Sequence, residues 1–473
     1  MLTSLSLLNS HISGDLRQNP SVPSTLQHLS AGVLGVILMR RQFRFAGFVC
    51  LGLSGLALSG CGSSETSTTP EKAATSAKSS ASKEVTALLD KAVASLQQRQ
   101  WQPALQTLND AIKLDPKCSD AFFHRASLLA DAGQAVAALN DFTQAIDLSP
   151  EDSKLRHTRG FFLMTQQRID LAIADFTKAI ELNPKYSQAL NNRGLALLSK
   201  GDLKQAMADF EQALSVDPKY VEAMINRGFT HYRDGKPKQA LADYTQALKL
   251  NADNVSALNN RGLAYFDLKD YEKAATDFSQ AINRDRYNSK FYLERRECWL
   301  KLGRDEEAQA DAVKVAWLNK FNELNRTVSN NPKAPGKFVE LAEHLIAGGE
   351  QKVALASYDA AIKANQDYGR SYSSRAAYWL SQEDYDKAIA DCTRALKSEP
   401  HFEAYSIRGD AYYQKGNFVA AIADYSKAKR FDLQVAKAYL HRAKELRADG
   451  QTSEAAEYIE RAYEIEPSLR KSE

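Results

Sequence analysis

The chain has 473 residues, 44% of them hydrophobic and 25% charged, with 61 Lys and Arg against 58 Asp and Glu for a formal net charge of +3. That length admits several domains or one long array. Removing residues 1–60 takes away Arg17, Arg40, Arg41 and Arg44 against Asp15 and leaves the remainder neutral, which excludes the broad cationic surface that phosphate backbones require.

Residues 1–83 stand apart from the remainder. From Met39 the chain reads Met-Arg-Arg-Gln-Phe-Arg, then an apolar run from Phe45 to Leu58, then Leu58-Ser59-Gly60-Cys61. A basic start, a short apolar core and small residues before a cut describe a secretory signal peptide over residues 1–60, shorter than a typical spanning helix. A membrane helix over residues 31–58 would instead place Arg40, Arg41 and Arg44 within the bilayer, at roughly 2.5 to 3.5 kcal/mol each near the centre. Because a signal peptide starts its chain, Met39 is the expected initiator. Leu58-Ser59-Gly60-Cys61 resembles the bacterial lipoprotein lipobox. The resemblance implies cleavage before Cys61, a thioether-linked diacylglycerol on that cysteine and export as a lipoprotein. Gly62, where Asp would retain the protein at the inner membrane, implies the outer membrane, facing the periplasm. Residues 61–83, rich in Ser, Thr and Ala, are expected to form a flexible tether of roughly 25 Å root-mean-square reach.

From about residue 85 a period of 34 takes over. A small residue falls at Ala92, Ala126, Gly160, Gly194, Gly228 and Gly262, and an alanine twelve later at Ala104, Ala138, Ala172, Ala206, Ala240 and Ala274. Four further on sits a large apolar residue: Leu108, Phe142, Phe176, Phe210, Tyr244 and Phe278. Residues four apart share a helix face. Pro116, Pro150, Pro184 and Pro218 close several units, because proline lacks an N–H and clashes with the preceding turn. Each period therefore predicts two antiparallel helices that must stack on their neighbours to bury an apolar stripe. The pattern resembles the tetratricopeptide repeat, which implies an all-α solenoid, a right-handed superhelix of about eleven helix-turn-helix units.

About seven units are expected over residues 84–320. Val313, Trp317, Phe321 and Leu324 keep helical spacing into an insertion at 321–336, which reads either as a lengthened second helix with a loop or as a hinge. About four more units follow over 337–467, at Ala342/Ala354/Tyr358, Ala376/Ala388/Cys392, Gly409/Ala421/Tyr425 and Ala443/Ala455/Ile459.

Arginine precedes the small residue in most units, and aspartate follows sixteen residues later, as in Arg159/Asp175, Arg193/Asp209, Arg227/Asp243 and Arg261/Asp277. Where Leu341 or Lys91 replaces the arginine, Ser357 or Thr107 replaces the aspartate. Joint gain and loss predict structural ion pairs; the alternative is a basic stripe for an acidic partner. Three consecutive units place asparagine before that arginine: Asn192, Asn226 and Asn260. An amide donates and accepts, so it suits a peptide backbone of any sequence. The three resemble the asparagine ladders of peptide-binding tetratricopeptide arrays, which implies a concave face lined by first helices, with Phe161, Phe229, Tyr232 and Phe266 beside the amides. The chaperone-type carboxylate clamp is not matched, since Asn191 and Leu195 stand in two of its positions.

No Cys/His group has metal-ligand spacing, and no phosphate loop or nucleophile elbow occurs. Catalytic residues, metals, cofactors, small-molecule substrates and nucleic acid are therefore not expected. Cys118, Cys298 and Cys392 lie repeats apart, too far for a bridge. The expected function is a lipid-anchored envelope scaffold or adaptor that binds partner proteins or extended peptides. Alternatives are a non-anchored adaptor or co-chaperone, and a protein similar to the repeat region of O-linked N-acetylglucosamine transferases. With Ser468–Glu473 after the last unit, a catalytic domain is not expected in this sequence.

Overall fold

The computed structural model describes residues 72–471, with side chains from 83 to 470. Met39, the signal region, the lipobox 58–61 and its Cys61 lie outside the described residues. Among these residues all regular structure is helical. Hairpins follow in order: α1 (Lys72–Gln97) with α2 (Trp101–Leu114), α3 (Ser119–Asp131) with α4 (Ala135–Leu148), α5 (Ser153–Thr165) with α6 (Ile169–Leu182), and α7 (Ser187–Ser199) with α8 (Leu203–Val216). Next come α9 (Val221–Arg233) with α10 (Pro237–Leu250) and α11 (Val255–Asp267) with α12 (Tyr271–Arg284), then α13 (Ser289–Lys301) and α14 (Asp305–Asn330). The last four hairpins are α15 (Pro335–Ala347) with α16 (Gln351–Ala364), α17 (Gly369–Ser381) with α18 (Tyr385–Ser398), α19 (Phe402–Gln414) with α20 (Phe418–Lys427), and α21 (Leu433–Ala448) with α22 (Thr452–Ile465). No helix among the described residues is long and apolar enough to cross a membrane.

Helix α1 begins at Lys72, inside the stretch expected as a tether. Ala73, Ala74, Ala77 and Ala81 are strong helix formers, and a reading from Ser/Thr/Ala content alone treats them as flexible chain.

Each hairpin turns through one residue of positive φ. It is glycine at Gly133, Gly201, Gly235, Gly303, Gly349, Gly416 and Gly450, and a side-chain-bearing residue at Arg99, Gln167, Lys269 and Glu383. At Gly201 the turn closes with Gly201 N–H on Leu198 C=O at 3.1 Å and Asp202 N–H on Leu197 C=O at 3.0 Å. Those bonds satisfy carbonyls that the helix end leaves open, and a left-handed residue with a Cβ costs roughly 1 to 2 kcal/mol there. The core explains the small residue before it. A Cβ on Gly194 would sit 2.6 Å from Phe210 Cε1, so the fully buried ring and the glycine backbone are in direct contact. Ala206, Phe210 and Ala213 of α8 are all fully buried, and the same buried alanine-aromatic-alanine column recurs in α4, α6, α10, α12 and α16.

The chain divides into two compact units. One holds the residues through Arg286 with Glu297–Gly303, and the other holds Tyr287–Arg296 with everything from Arg304. In the second, α14 runs unbroken to Asn330, through most of the insertion, and a short turn leads to Pro335. Its added turns do the work of a neighbouring hairpin: Leu324 and Val328 are buried with Val339, Leu341, Ala342 and Leu345 of α15. Trp317 stacks on His344 with ring centroids 5.0 Å apart and lies so close over Gly348 that a Cβ would meet its ring at 2.3 Å.

Candidate functional site

The arginines come first because they set the register of everything beside them. Arg159 donates from Nε to Asp175 Oδ2 and from Nη2 to Asp175 Oδ1, both at 2.7 Å. Arg193 does the same with Asp209 at 2.9 and 2.7 Å, Arg227 with Asp243 at 3.0 and 2.6 Å, and Arg261 with Asp277 at 2.8 and 2.7 Å. The carboxylates are almost fully buried, so these are desolvated, bidentate, charge-assisted bonds. The aspartate hydrogen bond raises each of these four guanidinium pKa values. In several units the remaining Nη1 reaches the second helix of the preceding hairpin: Arg125 to Asn109 at 2.8 Å, Arg159 to Thr143 at 3.1 Å, Arg193 to Thr177 at 3.2 Å and Arg408 to Thr393 at 3.1 Å. One side chain thus joins three helices.

Just before these arginines lie the asparagines, and the structure shows them in unlike states. Asn192 is only 8% exposed. Its Nδ2 donates to His157 Nε2 at 3.0 Å, and its Oδ1 accepts from Asn191 Nδ2 at 3.2 Å. Asn191 Oδ1 in turn accepts from Asn226 Nδ2 at 2.8 Å. With His157 Nε2 accepting, the ring proton sits on Nδ1 and is donated to the Tyr186 hydroxyl, 3.1 Å away. Burial holds the His157 pKa down at about 4 and pushes that of Tyr186 up to about 12, so both are neutral near pH 7. A directed series of bonds runs from Asn226 through Asn191, Asn192 and His157 to Tyr186. It crosses first helices at a spacing of 35 residues, one more than the sequence period, because side chains on stacked helices meet at adjacent positions.

Asn260 differs. Its Oδ1 accepts from Asn259 Nδ2 at 3.2 Å, and the residue 35 positions earlier is Ile225, which has no acceptor. Asn259 Oδ1 is itself buried without a partner.

The aromatic residues also divide. Phe229 is 8% exposed and packs with Leu197, Leu198, Ala206 and Phe210, so it is core rather than open groove. Tyr232 is 7% exposed, and its hydroxyl donates to Asp267. Phe161 and Phe266 remain partly exposed, Phe266 with its ring 5.2 Å from that of Tyr271. Stacking each hairpin on the next draws the larger rings of α9 inward, which a face assignment from spacing alone does not register. His157, Asn191 and Tyr186 were missed as site residues. The available signal was the recurrence of Tyr186 and Tyr220 29 residues after His157 and Asn191.

Cys118 and Cys392 carry free thiols, and burial pushes the Cys392 thiol up to about 12, which makes it an inert core residue. No cluster with metal-ligating character occurs among the described residues.

Family models of the tetratricopeptide repeat match residues 89–153, 225–289, 339–395 and 380–436, residues 187–220, and residues 153–186 and 436–469. Together they cover well over half of the chain, and the protein belongs to the tetratricopeptide-repeat family, whose members bind proteins or peptides. Among curated relatives, the inactive TPR repeat-containing thioredoxin TTL3 of Arabidopsis thaliana is 30% identical over 103 residues, 22% of this chain and 15% of the relative. The small glutamine-rich tetratricopeptide repeat-containing protein 2 of Saccharomyces cerevisiae is 32% identical over 124 residues, 24% of this chain and 36% of the relative. The chain thus spans well under half the length of either relative. The solved structure of Pseudomonas aeruginosa pilF is 20% identical, with a TM-score of 0.42 over 46% of this chain and 97% of that one.

Proposed function

We propose that the protein is a lipid-anchored scaffold of a bacterial cell envelope, tethered through Cys61 at the outer membrane and facing the periplasm. There it holds partner proteins by an extended segment laid across the first helices of its middle hairpins. The observation that carries the binding role is the register of Asn192, Asn226 and Asn260 on three successive first helices, α7, α9 and α11. Beside them lie the partly exposed rings of Phe161 and Phe266. In this arrangement Asn226, Asn260, Phe161 and Phe266 meet the partner, while Asn192, Phe229 and Tyr232 support the face from beneath. The bidentate arginine-aspartate pairs hold the helices in place and do not contact the partner. The anchor rests on the Leu58-Ser59-Gly60-Cys61 sequence behind a basic and apolar segment.

Two measurements test the parts separately. Labelled palmitate should enter the wild-type protein in bacteria and be lost in Cys61→Ser; incorporation that persists in the variant removes the anchor. Crosslinking and pull-down from envelope fractions should lose partners in the triple variant Asn192→Ala/Asn226→Ala/Asn260→Ala. An unchanged partner list removes the binding face.

A further inference from the structure

Between α20 and α21 the boundary of the repeat is displaced by about one helical turn. Helix α20 has 10 residues where α18 has 14, and α21 has 16 where α17 and α19 have 13. The displacement starts at Lys429, whose φ of 53° turns the chain early. The connecting segment carries Phe431 with 71% of its surface exposed, and Leu433 opens α21 at 43%. Phe402, at the start of α19, is 58% exposed. The core does not use these side chains: Val435, two residues past Leu433, takes the buried place beside Ala421, Tyr425 and Ala438. The residues on either side of Phe431 are both fixed. Arg430 donates from Nη1 to Ser406 Oγ at 3.1 Å and to Asp410 Oδ1 at 2.7 Å. Asp432 accepts from Arg430 Nε at 2.6 Å and, as the cap of α21, from Val435 N–H at 3.1 Å. The Phe431 backbone is thus set before any partner arrives, and less conformational freedom remains to be lost when the ring is buried.

Two lysines complete the patch. Lys429 Nζ lies 5.4 Å from the centroid of the Phe402 ring, and Lys427 Nζ lies 5.4 Å from that of Tyr405. Both lysines are exposed, whereas Arg430 is held by Asp410 and Asp432. Exposed rings edged by ammonium groups suit the boundary of a lipid bilayer, where apolar side chains enter the acyl edge and lysines stay among anionic headgroups. A protein partner would need carboxylates placed opposite both lysines, while an anionic leaflet offers charge at every position. We infer that this segment is a second membrane contact: Phe431, Phe402 and Leu433 enter the surface of an anionic lipid leaflet, and Lys427 and Lys429 meet its headgroups. The inference rests on the reading that Cys61 anchors the chain, because the anchor supplies the lipid surface at high effective concentration.

The test uses the full-length protein, purified from bacteria with its anchor and reconstituted into vesicles of phosphatidylethanolamine and phosphatidylglycerol whose acyl chains are either plain or brominated. Bromine quenches only an indole that reaches it. Phe431→Trp changes an exposed side chain, and its emission is read as the difference from the unaltered protein, which contains Trp101, Trp299, Trp317 and Trp379. The indole added by F431W should lose at least half its emission in the brominated vesicles. Val136→Trp, at a position 78% exposed on α4, should lose almost none. Replacing both lipids with phosphatidylcholine should at least halve the F431W quenching; equal quenching there overturns the assignment to anionic lipid. Equal quenching of F431W and V136W, or none in F431W, overturns the second contact and leaves the anchor standing, provided that the protein floats with the vesicles. A blue shift of F431W without quenching places the side chain in a protein pocket and overturns it too. Protein that does not float with the vesicles overturns the anchor, and this inference with it.

Discussion

Tyr244 and Tyr425 occupy the same buried aromatic position in two hairpins, and their hydroxyls meet opposite fates. The Tyr425 hydroxyl donates to Asp410 at 2.8 Å, whereas the Tyr244 hydroxyl is buried with no partner. The residue fifteen positions earlier decides between them: Asp410 in α19, Phe229 in α9. The surroundings of Asp410 are built to support its charge. Helix α20 is 10 residues long where α10 has 14, because Lys429 turns the chain at a φ of 53°. That early turn swings Arg430 back over the Tyr425 ring, 5.0 Å from its centroid, and onto Asp410 at 2.7 Å. The two regions teach that a repeat fixes which positions are buried, while the solution for a polar atom buried there is local. The middle hairpins spend their polar side chains on the amide series ending at His157 and Tyr186. The C-terminal ones spend theirs on Asp410 and Arg430.

Acid should separate the two regions most strongly. The folded His157 pKa of about 4 lies below the unfolded value near 6.5, so the unfolded state binds the extra proton between them. Stability is therefore whole above pH 6.5 and falls as pH drops toward 4, by up to about 3 kcal/mol. Hydrogen exchange of α5 and α7 should show the loss, and it should vanish in His157→Gln. A slope that survives this substitution assigns the effect elsewhere. Next in size, Asp410→Ala leaves the Tyr425 hydroxyl and Arg430 without their shared partner. It should cost about 2 kcal/mol in the local stability of α19 and α20, with the middle hairpins unaffected in the same exchange experiment. The tyrosines themselves should respond with opposite signs: Tyr425→Phe should cost about 1 kcal/mol, and Tyr244→Phe should gain about 1 kcal/mol by removing an unsatisfied buried hydroxyl. Urea unfolding of the two variants checks this, and losses in both would mean that the Tyr244 hydroxyl is satisfied in solution. Smallest, Lys429→Gly should gain up to about 1 kcal/mol by relieving a left-handed side chain, read as a raised midpoint of thermal unfolding. Gln167→Gly should behave alike.

The fold class was legible in the sequence because stacking leaves so few choices. Gly194 and Phe210 recur sixteen residues apart since ring and backbone touch, and the turns repeat where a left-handed residue is needed. The start of α1 was not legible, because alanine and serine serve a helix and a tether equally well in composition. At the candidate site, the register of Asn192, Asn226 and Asn260 could be read, but their states could not. Whether an amide is spent depends on the residue 35 positions away, His157, Asn191 or Ile225, and a period of 34 directs attention one residue short. Burial of Phe229 and Tyr232 likewise depends on which neighbouring hairpin closes over them, a tertiary effect that helical spacing does not encode.

The three-way arginine has a counterpart in the hairpin that lacks it. Leu341 and Ser357 stand in α15 and α16 where an arginine and an aspartate would be, and the preceding element, α14, meets α15 through Leu324, Val328 and Leu341. Joints that carry ion pairs answer to salt, whereas the joint of α14 with α15, closed by aliphatic side chains and by the Trp317–His344 stack, leans on apolar burial, which loses driving force on cooling. Salt should therefore bear on the seams that the arginines hold and leave the one between α14 and α15 largely untouched.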